Sequence, residues 1–413
     1  IPSPVCPNLC PLKESPRPDP DWSSLPADLL ANVLGELEFP DLFQSAVVCT
    51  TWCAAARAIR RLGVYKRSQT PCLLYTTAEL FSLADKNTYK MRLPDPPIGE
   101  RNIVGSSHGW LVTADGRSEL LLLNPVTGEQ VALPPVATVE QVNPVFNQAG
   151  ELERYDLYFY DSTPIRETEE PHDHAVDELR DALYLKVVLS CDPSQGDCIA
   201  MMIHNPYRQL SFARVGDNKW HWVTSSVQSS EYSDCIFHEG AFYAMSLLGG
   251  IHRYTIEGSC ATLDVIFKDT SPFIAHNTYI SRTSSGEVLQ IWRLTSCSRG
   301  ELHDLETTGI EIYKVDFDKQ EIVDMHTLGD DALFMGHNYT CCISTKDYPM
   351  LLPNHVYFTD DEEYWLYDGK DKRRDVGIYC LEDKHANDVV SPQHWLNWPI
   401  PVWITPCFTK IHR

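Results

Sequence analysis

One pentapeptide in the sequence matches a hydrolase signature. Residues 105–109 (Gly-Ser-Ser-His-Gly) fit the pattern G-x-S-x-G, in which a nucleophilic serine lies at a sharp turn between a strand and a helix. Backbone amides near that helix stabilise the oxyanion of the reaction. Here the continuation Trp110-Leu-Val-Thr has the pattern of a strand, and no Walker A motif or dinucleotide fingerprint accompanies it. The sequence therefore predicts that Ser107 is a turn residue rather than a nucleophile.

His172-Asp173-His174 could hold a metal ion if one more ligand were supplied. These residues stand in an acidic stretch, 167–181, which we interpret as a long solvated loop between strands; an acidic lip that docks a target is the alternative. The 14 cysteines are scattered, with no C-x-x-C and no short-spaced Cys/His quartet. We therefore expect no metal, no cofactor and no catalytic residue, and we expect reduced thiols.

Length and charge limit the classes of protein. A chain of 413 residues with 43% hydrophobic and 22% charged residues is long enough for two globular domains. Its net charge is −23, and the excess of acid lies after Pro71, so nucleic acid is not expected as a partner. The sequence contains no run of about 18 apolar residues, so no membrane span is predicted. Residues 1–21 are rich in proline and lack the apolar core of a signal peptide, which predicts a flexible arm on an intracellular protein of the cytoplasm or nucleus.

Residues 22–66 have the hydrophobic pattern of three short helices. Pro26 suits a first turn, and one apolar face follows it: Leu29, Leu30, Val33, Leu34 and Leu37. Pro40-Asp41 ends this helix and starts a second, whose predicted buried positions are Leu42, Phe43, Ala46 and Val47. Thr50 or Thr51 is predicted to cap a third helix that carries Trp52, Ala55, Ala56 and Ile59. So small a module has too little core to be stable without a neighbour.

The order of residues in this module is specific. Leu25-Pro26-x-x-Leu29-Leu30, then Asp41-Leu42, then Val48-Cys49-x-x-Trp52 resembles the F-box motif, whose family binds a Skp-type adaptor. The resemblance implies that the module's core and its adaptor surface share one set of residues: Leu25, Pro26, Leu29, Leu30, Val33, Leu42, Val48 and Trp52. A generic three-helix cap on the larger domain is the alternative, but it gives no reason for this succession.

A basic stripe follows the motif. Residues 42–71 carry no acidic side chain and five basic ones: Arg57, Arg60, Arg61, Lys66 and Arg67. Skp-type adaptors are acidic, so we predict that Arg57 and Arg60 contribute to adaptor binding, chiefly by steering association. The alternative is solvated positive charge that suits the dipole at the end of the last helix.

Residues 67–413 change to short strands of period two. Residues 79–94 and 119–134 each give a strand, a polar turn, a second strand and a closing Leu-Pro. Looser echoes make roughly six units at about fifty-residue spacing, a period typical of propeller blades. We therefore predict a small N-terminal all-α F-box plus a large all-β domain, a six-bladed β-propeller within limits of five to seven blades; two tandem β-sandwiches are the alternative. The apolar stretch 395–408 is expected to return to the first blade and close the ring.

Four blocks carry a resemblance to a known family. They are Gly105-Ser-Ser-His-Gly-Trp-Leu-Val112, Leu123-Asn-Pro-Val-Thr-Gly-Glu129, Leu328-Gly-Asp-Asp-Ala-Leu-Phe-Met-Gly336 and Asn354-His-Val-Tyr-Phe-Thr-Asp-Asp361. Their order and their spacing from the F-box resemble the plant F-box-associated β-propeller family, long catalogued only as a domain of unknown function. That family is plant-specific, which implies a plant source.

The resemblance implies a function that needs no reactive side chain. A substrate-recognition subunit of an SCF-type E3 ubiquitin ligase binds the Skp adaptor, and through it the cullin and RING subunits, while its propeller holds the target protein. By position, the candidates for target binding are Glu169, Glu170, His172, Asp173, Asp361 and Arg373. Two alternatives stay open: an adaptor-bound propeller that sequesters a partner without ubiquitin ligation, and one whose channel senses a small molecule.

Overall fold

The computed structural model describes residues 21–77, 79–91, 94–160, 170–223, 231–269, 277–297, 305–361, 374–389 and 398–410. The chain divides into two compact units, and the boundary falls between Lys66 and Arg67. We call them the helical unit and the β unit. No helix in the described part is both long enough and apolar enough to cross a membrane.

The helical unit contains three α-helices and two 3₁₀ turns. The helices are α1 (Ala27–Gly35), α2 (Asp41–Gln44) and α3 (Thr50–Leu62). The 3₁₀ turns are Trp22–Ser24 and Ser45–Val47. Gly63 ends α3 in the left-handed region (φ 66°), a conformation that glycine adopts without a steric cost. The buried apolar side chains between these elements include Leu30, Leu34, Leu42, Ala56 and Ile59.

Two details of this unit differ from the sequence predictions. Cys49 precedes α3 and makes no side-chain capping hydrogen bond, so Thr50 is the first helical residue rather than a cap. Val47 was predicted to be buried, yet its side chain is 84% exposed. The chain passes from α2 into a 3₁₀ turn there, and the tighter turn places Val47 on a different side from Leu42.

The described residues of the β unit form seven sheets, numbered here in chain order. The first contains β1 (Cys72–Leu74), β2 (Glu79–Ser82) and β3 (Thr88–Lys90). The second contains β4 (Asn102–Ser107), β5 (Trp110–Ala114), β6 (Leu120–Leu123) and β7 (Gln130–Ala132). The third has three strands, β8 (Val142–Phe146), β9 (Leu152–Leu157) and β10 (His172–Ala175), and a short helix follows it, α4 (Leu179–Leu183).

The remaining sheets continue in the same way. The fourth contains β11 (Tyr184–Leu189), β12 (Ile199–His204), β13 (Gln209–Arg214) and β14 (His221–Trp222). The fifth contains β15 (Tyr232–His238), β16 (Ala241–Ser246), β17 (Ile251–Glu257) and β18 (Cys260–Phe267). The sixth contains β19 (Asn277–Arg282), β20 (Val288–Cys297), β21 (Leu305–Asp316) and β22 (Glu321–Asp324). The seventh contains β23 (Asp331–Met335), β24 (Cys341–Ser344), β25 (His355–Phe358), β26 (Gly377–Cys380) and β27 (His385–Asn387).

Six of these sheets follow one another around a ring, because an apolar core lies between successive sheets. The fourth packs on the second, the fifth on the fourth, the sixth on the fifth, the seventh on the sixth and the first on the seventh. Residues 402–404, which pair with β1, lie against β4 and join the first sheet to the second. β4 lies directly against β11, so the three-stranded sheet is an addition to the ring. Gly105 permits this approach, since a Cβ atom there would stand 2.3 Å from the carbonyl oxygen of Val187. The described residues thus carry six blade-like sheets.

The last strand closes the ring. β28 (Val402–Ile404) joins the first sheet by antiparallel pairing with β1, with Trp403 opposite Leu73. The Trp403 ring packs edge to face on Phe334 and Tyr357 of the seventh sheet, with ring centroids 5.3 and 5.8 Å away. The structure therefore confirms the expectation that the C-terminal apolar stretch returns to the first blade. The predicted fold class, short N-terminal helices followed by a large all-β domain, is also confirmed.

We expect Trp403→Ala to destabilise the β unit, because this side chain is 2% exposed and joins the first and last sheets. The free energy of unfolding should fall by about 3–5 kcal/mol in urea titrations followed by far-UV circular dichroism. Phe146→Ala is a matched control, since that ring is 58% exposed and should change stability by less than about 0.5 kcal/mol. Equal effects of the two substitutions would contradict the role of Trp403 in closure.

Candidate functional site

The two sides of α1 differ in exposure. Leu30 and Leu34 are fully buried, whereas Leu29 and Val33 are 50% and 49% exposed. Residues four apart lie one above the other on a helix, so α1 has one apolar stripe in the core and a second that faces solvent. A second apolar stripe that the module's own core does not bury is typical of a helix that packs on a partner.

Exposed apolar side chains are concentrated in the helical unit. Of the fourteen large hydrophobic side chains that are exposed among the described residues, seven lie in this small unit: Trp22, Leu29, Val33, Val47, Val48, Leu62 and Val64. The much longer β unit holds the other seven. Single exposed hydrophobic residues are ordinary on a protein surface, but such a concentration on a small module is typical of surfaces that bind a partner.

Polar side chains of α3 connect this helix to the segment before α1 and to α2. The indole N–H of Trp52 donates a hydrogen bond to the carbonyl oxygen of Trp22 (2.9 Å), which ties the segment before α1 to α3. The guanidinium of Arg60 lies 4.5 Å from the centroid of the Phe43 ring, and its Nε donates to Ala56 O (3.3 Å). Burial lowers the pKa of Arg60. Arg57 and Arg61 are exposed.

The structure divides the predicted adaptor-binding residues into three groups. Leu30 and Leu42 belong to the module's own core. Leu25, Trp52 and Arg60 are partly buried, and the exposed members are Pro26, Leu29, Val33, Val48 and Arg57. Sequence reasoning missed Val47, because the spacing from Leu42 and Phe43 placed it among the buried positions of the second helix, whereas its side chain is exposed.

A polar cluster lies inside the ring of the β unit. The ammonium group of Lys186 on β11 is 2.6 Å from a carboxylate oxygen of Asp234 on β15, and the two side chains are 7% and 0% exposed. Asp234 also accepts hydrogen bonds from Thr340 Oγ1 (2.7 Å) and from the backbone N–H of Ile280 (3.2 Å). A buried ion pair with this many additional hydrogen bonds is satisfied electrostatically.

Residues 336–340, between β23 and β24, form a segment that we call the axial segment. Its Tyr339 N–H donates to Ser106 O (2.6 Å), and its Tyr339 hydroxyl donates to Phe237 O (2.9 Å). Lys186 donates to Gly336 O (3.1 Å), and Ser281 donates to Thr340 O (3.4 Å). These partners belong to the second, fourth, fifth and sixth sheets, so the axial segment occupies the middle of the ring.

The predicted target-binding residues fall in different environments. Glu170, His172 and Asp173 are exposed, and the His172 ring packs on Phe159 with centroids 4.3 Å apart. The acidic stretch is not the predicted loop in its described part, because residues 172–175 form β10, paired with β9, and α4 follows. Glu169 and Arg373 lie outside the described residues.

Asp361 is not an exposed hairpin residue. Its carboxylate accepts a hydrogen bond from the Tyr279 hydroxyl (2.7 Å) and lies 3.2 Å from Arg293, whose side chain is fully buried. Arg374, at the end of the predicted hairpin, is also buried and lies 3.7 Å from Asp360. Sequence reasoning could not find the pair of Asp361 with Arg293, because Arg293 lies on β20 of the sixth sheet and Asp361 follows β25 of the seventh.

Neither the G-x-S-x-G motif nor the pair His172 and His174 has the surroundings of a catalytic or metal site in the described structure. Ser107 ends β4 and is followed by the turn to β5, and its hydroxyl accepts a hydrogen bond from Leu189 N (3.3 Å). A serine between two strands lacks the helix that an oxyanion site of this type requires. Among the described residues no group of His, Cys, Asp and Glu is arranged to hold a metal ion, and this includes His172 and His174.

Comparison with known proteins agrees with this geometry. Residues 22–62 match the F-box domain, and residues 80–380 match the family described as KIB1-4 beta-propeller. The two units therefore define a protein class, an F-box module joined to a propeller. This chain belongs to the KIB1-4 beta-propeller family.

Relatives in Arabidopsis thaliana span most of the chain. F-box protein SKIP23 is 23% identical over 93% of this chain and 96% of its own length. F-box only protein 7 is 24% identical over 79% and 82%, and F-box protein KIB4 is 21% identical over 86% and 88%. The resemblance to plant F-box proteins with a C-terminal propeller is thus confirmed. Among solved structures, the Cps50 (Swd1) β-propeller domain of Myceliophteria thermophila covers 62% of this chain and 69% of its own at 10% identity, with a TM-score of 0.30 that is too low to carry an argument.

The domain combination gives the general role. An F-box domain in general binds a Skp-type adaptor, and F-box proteins are in general non-catalytic subunits. An F-box joined to a propeller has the arrangement of a substrate receptor of an SCF ligase.

The axial segment should make stability depend on pH. Burial lowers the pKa of His337 to about 4, against about 6.5 in an unfolded chain. As pH falls, the unfolded state therefore binds its proton first, and the free energy of unfolding decreases between about pH 6.5 and pH 4. We expect His337→Gln to reduce the loss of stability between pH 7 and pH 5 by about 2 kcal/mol, measured by urea unfolding at each pH.

His326→Gln is the matched control, because that side chain is 86% exposed. The control should keep the pH dependence of the unaltered protein. An identical pH dependence in the His337→Gln variant would show that His337 is not the group responsible.

Proposed function

We propose that this chain recruits a target protein to a Skp–cullin–F-box ubiquitin ligase, and that its exposed apolar residues in the helical unit bind the Skp-type adaptor. The observation that carries the proposal is the half-exposed stripe of Leu29 and Val33 on α1, beside a core that Leu30 and Leu34 already fill. Adaptor binding would bury this stripe together with Val47 and Val48. Covering the exposed half of Leu29 or Val33 contributes roughly 1 kcal/mol each.

The F-box residues divide into a buried set and an exposed set, as adaptor binding by a small helical module requires. Leu30 and Leu42 belong to the core of the helical unit. Leu29, Val33 and Val48 have no such role in the helical unit. In our proposal they are the adaptor contacts, and Leu25 and Trp52 support them from partly buried positions.

The proposed mechanism is proximity. The adaptor joins the chain to the cullin and RING subunits, and the propeller holds a target beside the ubiquitin-charged conjugating enzyme. Tethering raises the effective concentration of target lysines near the thioester, which accelerates transfer without a catalytic group from this chain.

The target surface is proposed on the third sheet. His172 and Asp173 are exposed on β10, Glu170 is exposed just before it, and β10 is an edge strand of that sheet among the described strands. An exposed strand edge can pair with an extended segment of another protein, and the acidic side chains beside it favour a basic segment. Asp361 is not included, because its carboxylate is already bound by Arg293 and Tyr279.

Adaptor binding can be tested without disturbing the core. We expect Leu29→Glu/Val33→Glu to abolish co-purification with a Skp-type adaptor, because two charges would be buried unpaired in the interface. Asn32→Glu, also exposed and on the same helix, is the matched control and should bind normally. Circular dichroism should show that all variants are folded. A folded double variant that still binds the adaptor would contradict the proposed surface.

The same preparations test the ligase role. Ubiquitin transfer to a protein captured by the propeller should occur with the unaltered chain and be lost with the Leu29→Glu/Val33→Glu variant. A target that is bound but not ubiquitinated by the complete complex would favour sequestration instead.

The basic residues should act on the rate of association. We expect Arg57→Glu/Arg61→Glu to lower the association rate constant by about tenfold at low salt, with the difference vanishing as salt is raised. Arg60 is left unchanged, since it packs on Phe43. Lys90→Glu/Lys410→Glu, at two exposed sites of the β unit, gives the same change in net charge as a control. Equal rates for the two variants at low salt, by surface plasmon resonance, would exclude steering by the arginines.

A further inference from the structure

Two cysteines face each other at the end of the β11–β12 hairpin. Leu189 pairs with Ala200 in the ladder, and the N–H of Ser190 donates to Ile199 O (2.8 Å). Continued by one residue, this register places Cys191 opposite Cys198. The thiol of Cys198 lies 3.1 Å from Cys191 O, and both cysteines are free.

This position suits a disulfide geometrically. The pair that follows a hydrogen-bonded pair in an antiparallel ladder is of the non-hydrogen-bonded kind, with Cα atoms about 4.5 Å apart. Disulfides join Cα atoms separated by about 4.4–6.8 Å. A bond between the two sulfur atoms therefore needs side-chain rotation rather than a change in the backbone.

The two thiols differ in exposure and acidity. Cys191 is partly exposed, whereas Cys198 is buried. A hydrogen bond with Cys198 lowers the pKa of Cys191 to about 7, and a weaker one with Ser190 acts in the same direction, against burial and the charges of Asp192 and Asp197. The same bond and burial raise the pKa of Cys198. The accessible sulfur is thus the one that carries thiolate near neutral pH, and the thiolate is the form that oxidants attack.

We propose that Cys191 and Cys198 form a redox-active dithiol, which a hydroperoxide such as hydrogen peroxide converts reversibly to a disulfide. The Cys191 thiolate attacks the peroxide, the O–O bond breaks, and the sulfur becomes a sulfenic acid while one water is released after protonation. Cys198 then attacks the Cys191 sulfur, its proton and the sulfenic hydroxyl leave as a second water, and the S–S bond forms. Two electrons pass from the two thiols to the peroxide, and a dithiol reductant reverses the reaction.

The bond would fix a loop with contacts of its own. Between the cysteines, Asp192 accepts hydrogen bonds from Trp110 Nε1 (3.0 Å) and Ser194 N (2.9 Å). Pro193, Gly196 and Asp197 line one side of a cleft of about 750 Å³ whose other side is residues 128–132. Oxidation would therefore clamp the base of a loop that forms a cleft wall. This inference does not depend on the proposed ligase function.

One tryptic peptide reports the oxidation. Residues 187–208 follow Lys186, end at Arg208 and contain only these two cysteines. The full chain is treated with one equivalent of hydrogen peroxide, alkylated with iodoacetamide under denaturing conditions, digested and measured by mass spectrometry. We expect a peptide that has lost two hydrogen atoms and carries no alkyl group, and that takes up two alkyl groups if a reductant is added before alkylation.

Two controls separate the dithiol from general oxidation. In Cys198→Ser the reaction should stop at the sulfenic acid of Cys191, which dimedone captures; this variant should keep the circular dichroism spectrum of the unaltered chain. Cys260 is exposed and should remain available for alkylation at this dose. The proposal is overturned if both thiols of the peptide stay alkylatable while Cys260 is oxidised, or if Cys191 is linked to Cys407, whose sulfur lies 3.4 Å from Asp192.

Discussion

The pairing of β28 with β1 joins the two ends of the β unit, and the rest of that unit depends on it. Each sheet of the ring is short and buries apolar side chains on both faces, as the fully buried strands β4, β12 and β23 show. A sheet at an open end would leave one of those faces in water. Since Trp403 fills the contact between the first and seventh sheets, a few C-terminal residues complete cores that begin far earlier in the chain.

The middle of the ring is polar where its walls are apolar. Lys186 and Asp234 are paired there. The backbone of the axial segment hydrogen-bonds to the second, fourth and sixth sheets, and its Tyr339 and Thr340 hydroxyls hydrogen-bond to the fifth. This arrangement argues against the alternative in which a small molecule binds in the channel, because the axial segment occupies the middle of the ring. Our proposal therefore places recognition at the outer edge of the β unit, where the exposed residues of β10 lie.

The sequence predicted the larger features because they rest on local patterns. Helical spacing and the order Leu-Pro, Asp-Leu, Val-Cys, Trp were enough for the F-box, and period-two strands with a repeat were enough for the propeller. The pattern could not tell Leu29 from Leu30, since adjacent leucines on one helix look alike until the other helices are placed. The pattern also predicted a loop where β10 forms, because His172-Asp173-His174 lacks apolar alternation. The strand depends on its pairing with β9, which the local sequence does not show. The ion pair of Asp361 with Arg293 was out of reach for the same non-local reason.

The axial segment also limits where this architecture can change during evolution. Loops at the rim of a ring can lengthen, shorten or alter their charge with little effect on the sheets, because their backbone groups are satisfied by water. Residues 336–340 have no such freedom. Gly336 has φ 136°, and a Cβ atom there would meet Thr359 Oγ1 at 2.1 Å. Tyr339 and Thr340 both hydrogen-bond to β15 of the fifth sheet, and Tyr339 N–H also donates to Ser106 O of the second sheet. New binding specificities in this lineage are therefore expected to arise by variation at the rim around an axis that cannot vary with them.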